Sequence, residues 1–411
     1  MPRKDTLLRL LRRYLLLLVT CTAASVLVAL IPHHAIEMHL QTSIADIVRQ
    51  GEFPSPYGLP MLKTDRFTDL LMLNLAWCND EKHPVEASMM NLFFYPKVEE
   101  TLSEASTQLT SMPREQLQLT EYSRYWHGTQ CLLRPLLVLT DYGRLIVINI
   151  IVLSLLALWS LYEVWRHCSP SVGIAFAIVL LLAAFPAVPL CIQYSVCFYI
   201  MFLCIIYLLR HEEQGHYAST FFTTGALTAY FDLLTTPLLT LGIPLLICLH
   251  NSSMASRTKR VILLSVCWAV GYAAFWLSKC MVAWLLTGHD IVGAFMEEAV
   301  KRSLFGLHTI SQSIASHPYL YIAAAVMTCF LIYIGVRWLR QSARSSTFLD
   351  RHGWLLLVAA MPILWYGALL EHTVIHFFFT WRMLAITLMA IMLLCLDLRQ
   401  TTPQTETYHD E

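Results

Sequence analysis

The sequence contains few charged residues. Only 14% of its 411 residues are Asp, Glu, Lys or Arg, whereas 57% are hydrophobic; soluble domains usually have about 25% charged residues. Its apolar stretches approach the length of about 20 residues that crosses the hydrocarbon core of a bilayer as a helix. This composition excludes a soluble protein and predicts an all-α, polytopic transmembrane protein.

The sequence also lacks the signatures of several common activities. Acidic and basic residues balance at 28 each, and no Lys/Arg-rich patch is interleaved with aromatic residues, which argues against nucleic-acid binding. There is no CxxC pair or Cys/His spacing typical of zinc, no HExxH motif, and no Gly-rich phosphate loop for a soluble nucleotide. Nothing in the sequence therefore requires a bound cofactor.

Most of the 12 cysteines lie within apolar stretches, where a thiol behaves as a small hydrophobe. Cys78 and Cys131 lie outside those stretches. We predict either a disulfide bond between these two, as an oxidising compartment would allow, or two free thiols.

Ten hydrophobic segments are predicted as membrane spans: 14–31, 145–165, 172–190, 192–209, 218–233, 235–249, 261–287, 318–339, 354–370 and 381–397. The count within 172–249 stays open, because these segments are short and interrupted by prolines. Lys and Arg resist translocation, so loops rich in them stay in the cytoplasm. Three basic clusters, within 3–13, 257–260 and 337–351, fall on one side if ten spans are counted. Both termini are therefore predicted to be cytoplasmic, in a plasma or inner membrane.

The segment 33–144 is predicted to be a large extracytoplasmic loop with juxtamembrane helices, within a single integral membrane domain covering 1–411. Residues Asp65 to Trp77 have the periodicity of an amphipathic helix. A second helix is predicted from Glu121 to Leu139. Both helices bring polar side chains to the outer surface of the membrane.

Asp65 and Asp69 form the first candidate site. Four residues apart, they share one face of the predicted helix. One would serve as a general base and the other as a ligand for a divalent cation, since hard cations prefer carboxylate oxygens. The same pattern is typical of a first helical turn enriched in acids, which favours the helix dipole. Spacing alone does not separate the two interpretations.

Arg124, Trp126, His127 and Arg134 form the second candidate site. Guanidinium groups bind phosphate oxygens in pairs of hydrogen bonds, and aromatic rings suit a sugar face or the headgroup region. The alternative is an interfacial anchor helix with snorkelling arginines.

Asp232 is the third candidate. An ionisable side chain inside an apolar span is costly in contact with lipid, so it is expected to face a cavity or a partner. Pro237 and two threonines nearby predict a break in the helix, which is tolerated where protein or water satisfies the backbone. A capping Asp at a helical turn is the alternative.

His372, His376 and Arg382 form the fourth candidate, at the outer junction of the last two spans. The two histidines, four residues apart, would share a helical face suited to a metal or, with Arg382, to a phosphate. The alternative is a pair of solvated histidines. All four candidates are predicted on the outer side or in the outer half, as one outward-facing cavity requires.

The candidates lie in four short motifs: Asp65-x-x-Thr68-Asp69; Arg124-Tyr125-Trp126-His127-Gly128 with Leu133-Arg134-Pro135; Phe231-Asp232-x-x-Thr235-Thr236-Pro237; and His372-x-x-x-His376 with Phe379-Thr380-x-Arg382. In these motifs the chain resembles a little-characterised group of bacterial polytopic membrane proteins, which is similar in layout to the GT-C superfamily of membrane glycosyltransferases. Such enzymes have a multi-helix membrane core, a large first outer loop with a catalytic acid, and a polyprenyl-phosphate sugar donor.

The resemblance implies transfer of a sugar to a cell-envelope glycan or lipid acceptor at the outer face. Asp69, or else Asp65, would be the base, and Arg124, Arg134 or Arg382 would hold the lipid phosphate. The chain departs from the best-known members in having no acidic pair directly after the first span, where Glu37 stands alone. The assignment of the base therefore stays open.

Two other functions compete with a glycosyltransferase. A secondary transporter or lipid flippase would use Asp232 for ion coupling between broken helices, although no internal repeat relates the two halves of the sequence. A non-catalytic assembly protein would tolerate alanine at all four candidate sites.

Overall fold

The computed structural model describes residues 4–59, 62–94, 101–112, 116–211, 216–250, 257–293 and 346–401. Its helices are α1 (Lys4–Ala29), α2 (His33–Gln50), α3 (Arg66–Cys78), α4 (Pro84–Met90), α5 (Leu102–Ser111), α6 (Gln130–Leu139), α7 (Tyr142–His167), α8 (Pro170–Leu182), α9 (Ile192–Arg210), α10 (Tyr217–Phe231), α11 (Leu239–His250), α12 (Arg257–Thr287), α13 (Ser346–Ala368), α14 (Leu370–Thr380) and α15 (Leu384–Thr401). Short 3₁₀ turns span Pro56–Gly58, Phe185–Leu190 and Trp381–Met383. The predicted all-α class is confirmed.

One small feature was not expected. Strands β1 (Leu92–Phe94) and β2 (Leu119–Glu121) pair antiparallel, with Phe93 opposite Thr120. They belong to the segment that follows α1, where Phe93 and Phe94 of β1 are buried in the same apolar cluster as residues of α2 and α3.

Five described stretches are long and apolar enough to cross a membrane: Leu10–Ala29, Tyr142–His167, Ile192–Arg210, Arg257–Thr287 and His372–Leu398. The chain is thus a helical membrane protein. The predicted segments 172–190, 218–233, 235–249 and 354–370 fall on α8, α10, α11 and α13, and the first three of these helices have only 13, 15 and 12 residues. The predicted span 318–339 lies outside the described residues, so the count of ten stays a prediction.

The helix ends meet in two layers. In one layer, Arg13 of α1 donates to Ser219 at the start of α10 over 2.7 Å, and Arg210 at the end of α9 donates to Glu163 of α7 over 2.7 Å. In the other layer, the described parts of the segment 33–141 pack on the helix bundle; we call this the loop end. Successive helices run in alternating directions between the two layers. The loop end therefore lies at the opposite end of the bundle from the N-terminus.

Two glycines bring α10 and α12 into backbone contact. A Cβ atom on Gly225 would lie 2.1 Å from the carbonyl oxygen of Trp268, and one on Gly271 would lie 2.1 Å from that of Phe222. Small residues at such a crossing let two membrane helices approach closely. The close crossing fixes the end of α10, from which Asp232 projects.

Helix α3 is the core of the outer segment rather than a helix lying on the membrane surface. Its bounds agree with the prediction, but every residue from Asp69 to Cys78 is buried. Helix α2 covers it with Ile36, Leu40 and Ile44, which are themselves buried. The predicted amphipathic character was therefore wrong, because neighbouring elements cover both faces of α3.

The second predicted helix was also too long. It begins at Gln130 instead of Glu121, and His127 has a left-handed backbone with φ of 53°, which a continuing helix does not allow. The structure has Cys78 and Cys131 as thiols, the second of the two predicted alternatives, and the Cys78 thiol donates to the side-chain oxygen of Asn74. The Cys131 sulfur instead lies 2.8 Å from the Tyr230 hydroxyl.

Candidate functional site

The carboxylate of Asp69 caps a helix other than its own. It accepts hydrogen bonds from the backbone amides of Ile192 and Gln193 over 2.9 and 3.0 Å, at the start of α9. The Tyr142 hydroxyl and the Cys191 thiol also donate to it. An anionic group at a helix N-terminus satisfies amides that have no partner inside the helix and favours the dipole. With all four acceptor positions occupied, Asp69 ties α3 to α9, a geometry that favours a structural role.

Asp65 is the N-cap of α3. Its two carboxylate oxygens accept from the backbone amide and the hydroxyl of Thr68, over 3.0 and 2.6 Å. Each oxygen therefore keeps a further lone pair. Burial raises the pKa of Asp65 from its usual 3.8 to about 6, and the Thr68 hydrogen bonds offset part of this rise. Asp65 is thus ionised at neutral pH and still able to accept a proton.

Asp232 lies at the break between α10 and α11, as predicted. The residues 232–238 are not helical, and Leu234 has φ of 63°. Both oxygens of Asp232 accept from the Thr235 amide, over 3.0 and 3.1 Å. The Thr235 hydroxyl in turn accepts from the side chain of Gln193, whose backbone amide binds Asp69. The Asp69 and Asp232 carboxylates are therefore linked through two residues.

His372 and His376 reach the same break from the last helices. The His372 Nε2–H donates to the Leu234 carbonyl over 2.9 Å, and the two imidazole rings lie 4.6 Å apart. His376 has non-helical angles (φ −110°, ψ 19°), so α14 bends there. The His376 ring stacks on Phe379 at 5.2 Å. The predicted closeness of the two histidines is seen, on a bent helix rather than a regular face.

Arg382 is buried with unpaired donors. Its side chain is 0% exposed, and neither Nε nor Nη2 has a hydrogen-bond partner among the residues that the structure describes. The remaining Nη1 is 3.5 Å from the Phe378 carbonyl, at the limit of a hydrogen bond. The guanidinium lies over the Tyr194 ring at 4.4 Å. A buried cationic donor without a partner is costly, so this geometry favours an anionic ligand.

Lys63 provides a second cation beside Arg382. Its backbone carbonyl accepts from the Tyr194 hydroxyl over 3.1 Å, and its ammonium group lies 5.0 Å from the Phe378 ring. The same ammonium lies 4.5 Å from Phe53, whose side chain is 38% exposed. Contacts therefore link Lys63, Tyr194, Phe378 and Arg382 at the loop end, here called the Arg382 site. Asp65 follows Lys63 by two residues, and its charge acts on Lys63 and Tyr194.

Arg124, Trp126 and His127 lie on the other side of the α10 terminus. Trp126 is 1% exposed and donates to the Phe275 carbonyl over 2.8 Å, so it is not the predicted interfacial residue. The His127 imidazole donates to the Tyr122 carbonyl over 3.0 Å, and burial lowers its pKa to about 3. A neutral imidazole gives no charge with which to bind phosphate.

Arg124 is half-buried among tyrosines. Its guanidinium lies 4.7 Å from the Tyr122 ring and 5.4 Å from the Tyr125 ring. In the ranges that the structure describes, it forms no ion pair with a carboxylate. Its guanidinium also lies within hydrogen-bond reach of the Tyr122 hydroxyl, at 3.5 Å, and its predicted role in substrate binding stays a prediction.

Arg134 is buried but fully engaged. Its Nε donates to the Val28 carbonyl over 3.0 Å, its Nη2 to the Ile31 carbonyl over 2.7 Å, and its Nη1 to the Ala76 carbonyl. These carbonyls lie where α1 and α3 end, and such terminal carbonyls have no partner inside a helix. The geometry favours a structural role for Arg134 over the predicted binding of phosphate.

The structure thus divides the predicted residues into three groups. Asp65, Asp232, His372, His376 and Arg382 border the first turn of α9 and the break after α10. Arg124, Trp126 and His127 lie on the other side of the end of α10, where Trp126 packs against Tyr230 and Phe275. Asp69 and Arg134 lie between elements that they hold together. In the part of the chain that the structure describes, no three His, Cys, Asp or Glu side chains are arranged to hold a metal ion.

Comparison of the chain with family models, with curated proteins and with solved structures found no match. The function therefore has to be argued from the geometry of the site.

Sequence reasoning missed Lys63, Tyr194 and Phe378. Lys63 precedes the aspartate motif by two residues and belongs to no recognisable pattern, while Tyr194 and Phe378 lie in apolar stretches. The only available signal was the density of aromatic residues before Arg382. Their importance arises from contacts between distant parts of the chain.

Proposed function

We propose that the chain is an integral membrane glycosyltransferase, GT-C-like with about ten spans, that acts at the outer face of the membrane. It transfers a sugar from a polyprenyl-phosphate donor to a cell-envelope glycan or lipid acceptor. The unpaired guanidinium of Arg382 is the observation on which the proposal depends, because phosphate is the anion that such a group binds best.

The position of the phosphate follows from the two cations. Arg382 offers Nε and Nη2, and the ammonium of Lys63 lies 5.0 Å from the ring of Phe378, whose carbonyl Arg382 Nη1 approaches. Fixed donors of this kind stabilise the negative charge that develops on a departing phosphate. The donor phosphate would therefore lie between Arg382 and Lys63, over the ring of Tyr194.

The isoprenoid chain of the donor would leave the site over aromatic rings. Phe53 stacks on Phe67 with centroids 6.0 Å apart and meets Phe378 edge-on at 5.5 Å. Phe53 is partly exposed, so these rings form an apolar rim beside the cations. An apolar rim next to a buried cationic position suits a ligand with a phosphate head and a hydrocarbon tail.

Asp65 is the better candidate for the base. Its oxygens keep lone pairs, and its raised pKa of about 6 is close to the pH at which a base works well. It would take the proton of the acceptor hydroxyl as that oxygen bonds to the anomeric carbon. The bond from this carbon to the phosphate oxygen breaks, and polyprenyl phosphate leaves. Asp69, predicted first, instead positions α9 and with it Tyr194.

Farnesyl phosphate is a probe that needs no knowledge of the sugar. We expect it to raise the thermal unfolding temperature of the purified protein, whereas farnesol does not. Arg382→Met should weaken the apparent affinity about tenfold or more, since hydrogen bonds to a charged group contribute about 1.5–3 kcal/mol. Arg144→Met, at an arginine that is 75% exposed and belongs to none of the candidate sites, is the control and should bind like the wild type. Equal binding by wild type and Arg382→Met, or no binding by either, would remove the proposed phosphate position.

A flippase or transporter is favoured by one observation. Asp232 is 1% exposed at a break where Leu234 has a left-handed backbone, and carboxylates at broken helices are typical of ion-coupled transporters. Proteoliposomes distinguish the two functions. Translocation of a fluorescent prenyl phosphate that requires a proton gradient and fails in Asp232→Asn would favour the flippase; sugar transfer in detergent, without a gradient, would favour the enzyme.

A further inference from the structure

A cavity of about 510 Å³ opens on the side of the helix bundle, at the end opposite the Arg382 site. It lies between α1, α9 and α10 and is lined by residues that include Arg13, Leu16, Ile200, Leu203, Ser219 and Leu227. Its volume lies within the range of about 300–1,000 Å³ typical of small-molecule sites. It shares no residue with the Arg382 site.

The surroundings of this cavity are apolar and exposed. Leu15 and Val19 of α1 are 49% and 65% exposed, and Leu203 of α9 is 54% exposed. Both α1 and α9 contain stretches able to cross a membrane. Exposed leucines on such helices face hydrocarbon, so the cavity opens toward lipid and a hydrocarbon chain is the natural occupant.

The depth of the cavity matches one leaflet. Along α10 it extends from Ser219 to Leu227, about 12 Å at a rise of 1.5 Å per residue. One half of the hydrocarbon core is about 15 Å thick. The cavity therefore accommodates a chain that starts at the bundle end and stops near the midplane.

A cation lies at the end of the cavity where a lipid headgroup would be. Arg13 is exposed and donates to Ser219 over 2.7 Å through one nitrogen. Among the residues with described positions, Arg13 forms no ion pair with a carboxylate. Its remaining donors are therefore available for an anion, and basic pockets between membrane helices bind anionic headgroups.

We propose that this cavity binds an anionic glycerophospholipid, with one acyl chain between α1, α9 and α10 and its phosphate at Arg13. A zwitterionic lipid with the same chains would fill the cavity but gain less from Arg13, because its headgroup carries a compensating positive charge.

Native mass spectrometry of the purified full-length protein tests this proposal. Phosphatidylglycerol and phosphatidylcholine with identical acyl chains are offered in equal amounts, and the ratio of the two bound lipids is measured. We expect about a fivefold preference for phosphatidylglycerol in the wild type, the size expected for one basic residue near a membrane surface. No preference would overturn the proposal.

Two variants separate the cavity from general surface charge. Arg12 is exposed next to Arg13 but does not line the cavity. Arg12→Gln should keep the preference and Arg13→Gln should lose it; equal losses would show that the lipid responds only to net charge.

Ser219→Ala, which removes the hydrogen bond between Arg13 and Ser219 but no charge, should keep the preference. Its loss there would mean that Arg13 acts through the helix contact, against the proposal.

Discussion

Arg134 and Arg382 are both buried arginines at the loop end of the bundle, yet their surroundings differ completely. Arg134 donates to three backbone carbonyls where α1 and α3 end. Arg382 has two nitrogens that find no hydrogen-bond partner in the described part of the chain. Burial alone therefore does not identify a binding residue in this protein. The number of unsatisfied donors does, because a fold keeps an unpaired buried charge only at a cost in stability.

The two aspartates of the first motif show the same contrast. Asp69 accepts from two backbone amides, a hydroxyl and a thiol, and its oxygens have no further capacity. In the described ranges, the Asp65 carboxylate accepts hydrogen bonds from Thr68 and from no other residue. Asp69 thus joins α3 to α9, whereas Asp65 has lone pairs left for a ligand.

Arg134→Met should have the largest effect on stability. Removal of the guanidinium leaves three buried carbonyls without partners, and we expect a loss of about 3–5 kcal/mol in the free energy of unfolding. Arg144→Met is the control, since its side chain is 75% exposed and its ion pair with Asp141 is long at 3.6 Å. Thermal unfolding in detergent measures both. A similar small shift in the two variants would mean that the Arg134 hydrogen bonds contribute little.

Asp69→Asn should have the next largest effect. The amide nitrogen of Asn cannot accept a hydrogen bond, so one of the Ile192 and Gln193 amides loses its partner, at a cost of about 1–3 kcal/mol. Asp46→Asn serves as the control, because Asp46 pairs only with an exposed Arg49 on the surface. If Asp69→Asn instead unfolds like the wild type and abolishes sugar transfer, Asp69 is catalytic and its assignment to structure is wrong.

The different roles of Asp65 and Asp69 could not be predicted from the sequence. The helix at Asp65 to Trp77 was predicted within one residue of its bounds, because helical periodicity is a local property. The backbone amides that bind Asp69, those of Ile192 and Gln193, are more than 120 residues away along the chain. A spacing of four residues gives no information about such partners, so the sequence supports the catalytic and the capping interpretation of Asp69 equally.

The same limit explains the arginines and His127. Arg134 and Arg382 each follow an apolar or aromatic stretch, and only the fold decides which of them meets helix-terminal carbonyls. His127 was expected beside phosphate ligands, but a left-handed backbone turns its ring toward the Tyr122 carbonyl. Non-local hydrogen bonding and one backbone angle determine these outcomes.

The pH dependence of Asp65 tests its capacity to act as a base. Only the ionised form accepts a proton, so transfer activity should fall about tenfold per pH unit below the pKa of about 6. The free energy of unfolding should change in the opposite direction. Because the folded pKa lies above the usual 3.8, the stabilisation that comes from protonated Asp65 is fully present below pH 3.8 and is lost as the pH rises through about 6. Asp65→Asn should abolish activity and remove the contribution to stability. Activity that is unchanged between pH 5 and 7 would exclude Asp65 as the base.

Arg382→Met should have the smallest effect on the free energy of unfolding, and the change should be zero or stabilising, whereas Arg134→Met destabilises the fold. A methionine fills much of the same volume without placing an unpaired charge in the interior, so the free energy of unfolding should stay the same or rise by up to about 1 kcal/mol. Farnesyl phosphate binding should be lost in the same protein. A variant that is as stable as the wild type but does not bind identifies Arg382 as a binding residue. A loss of stability as large as that of Arg134→Met would instead show that its donors are already satisfied within the fold.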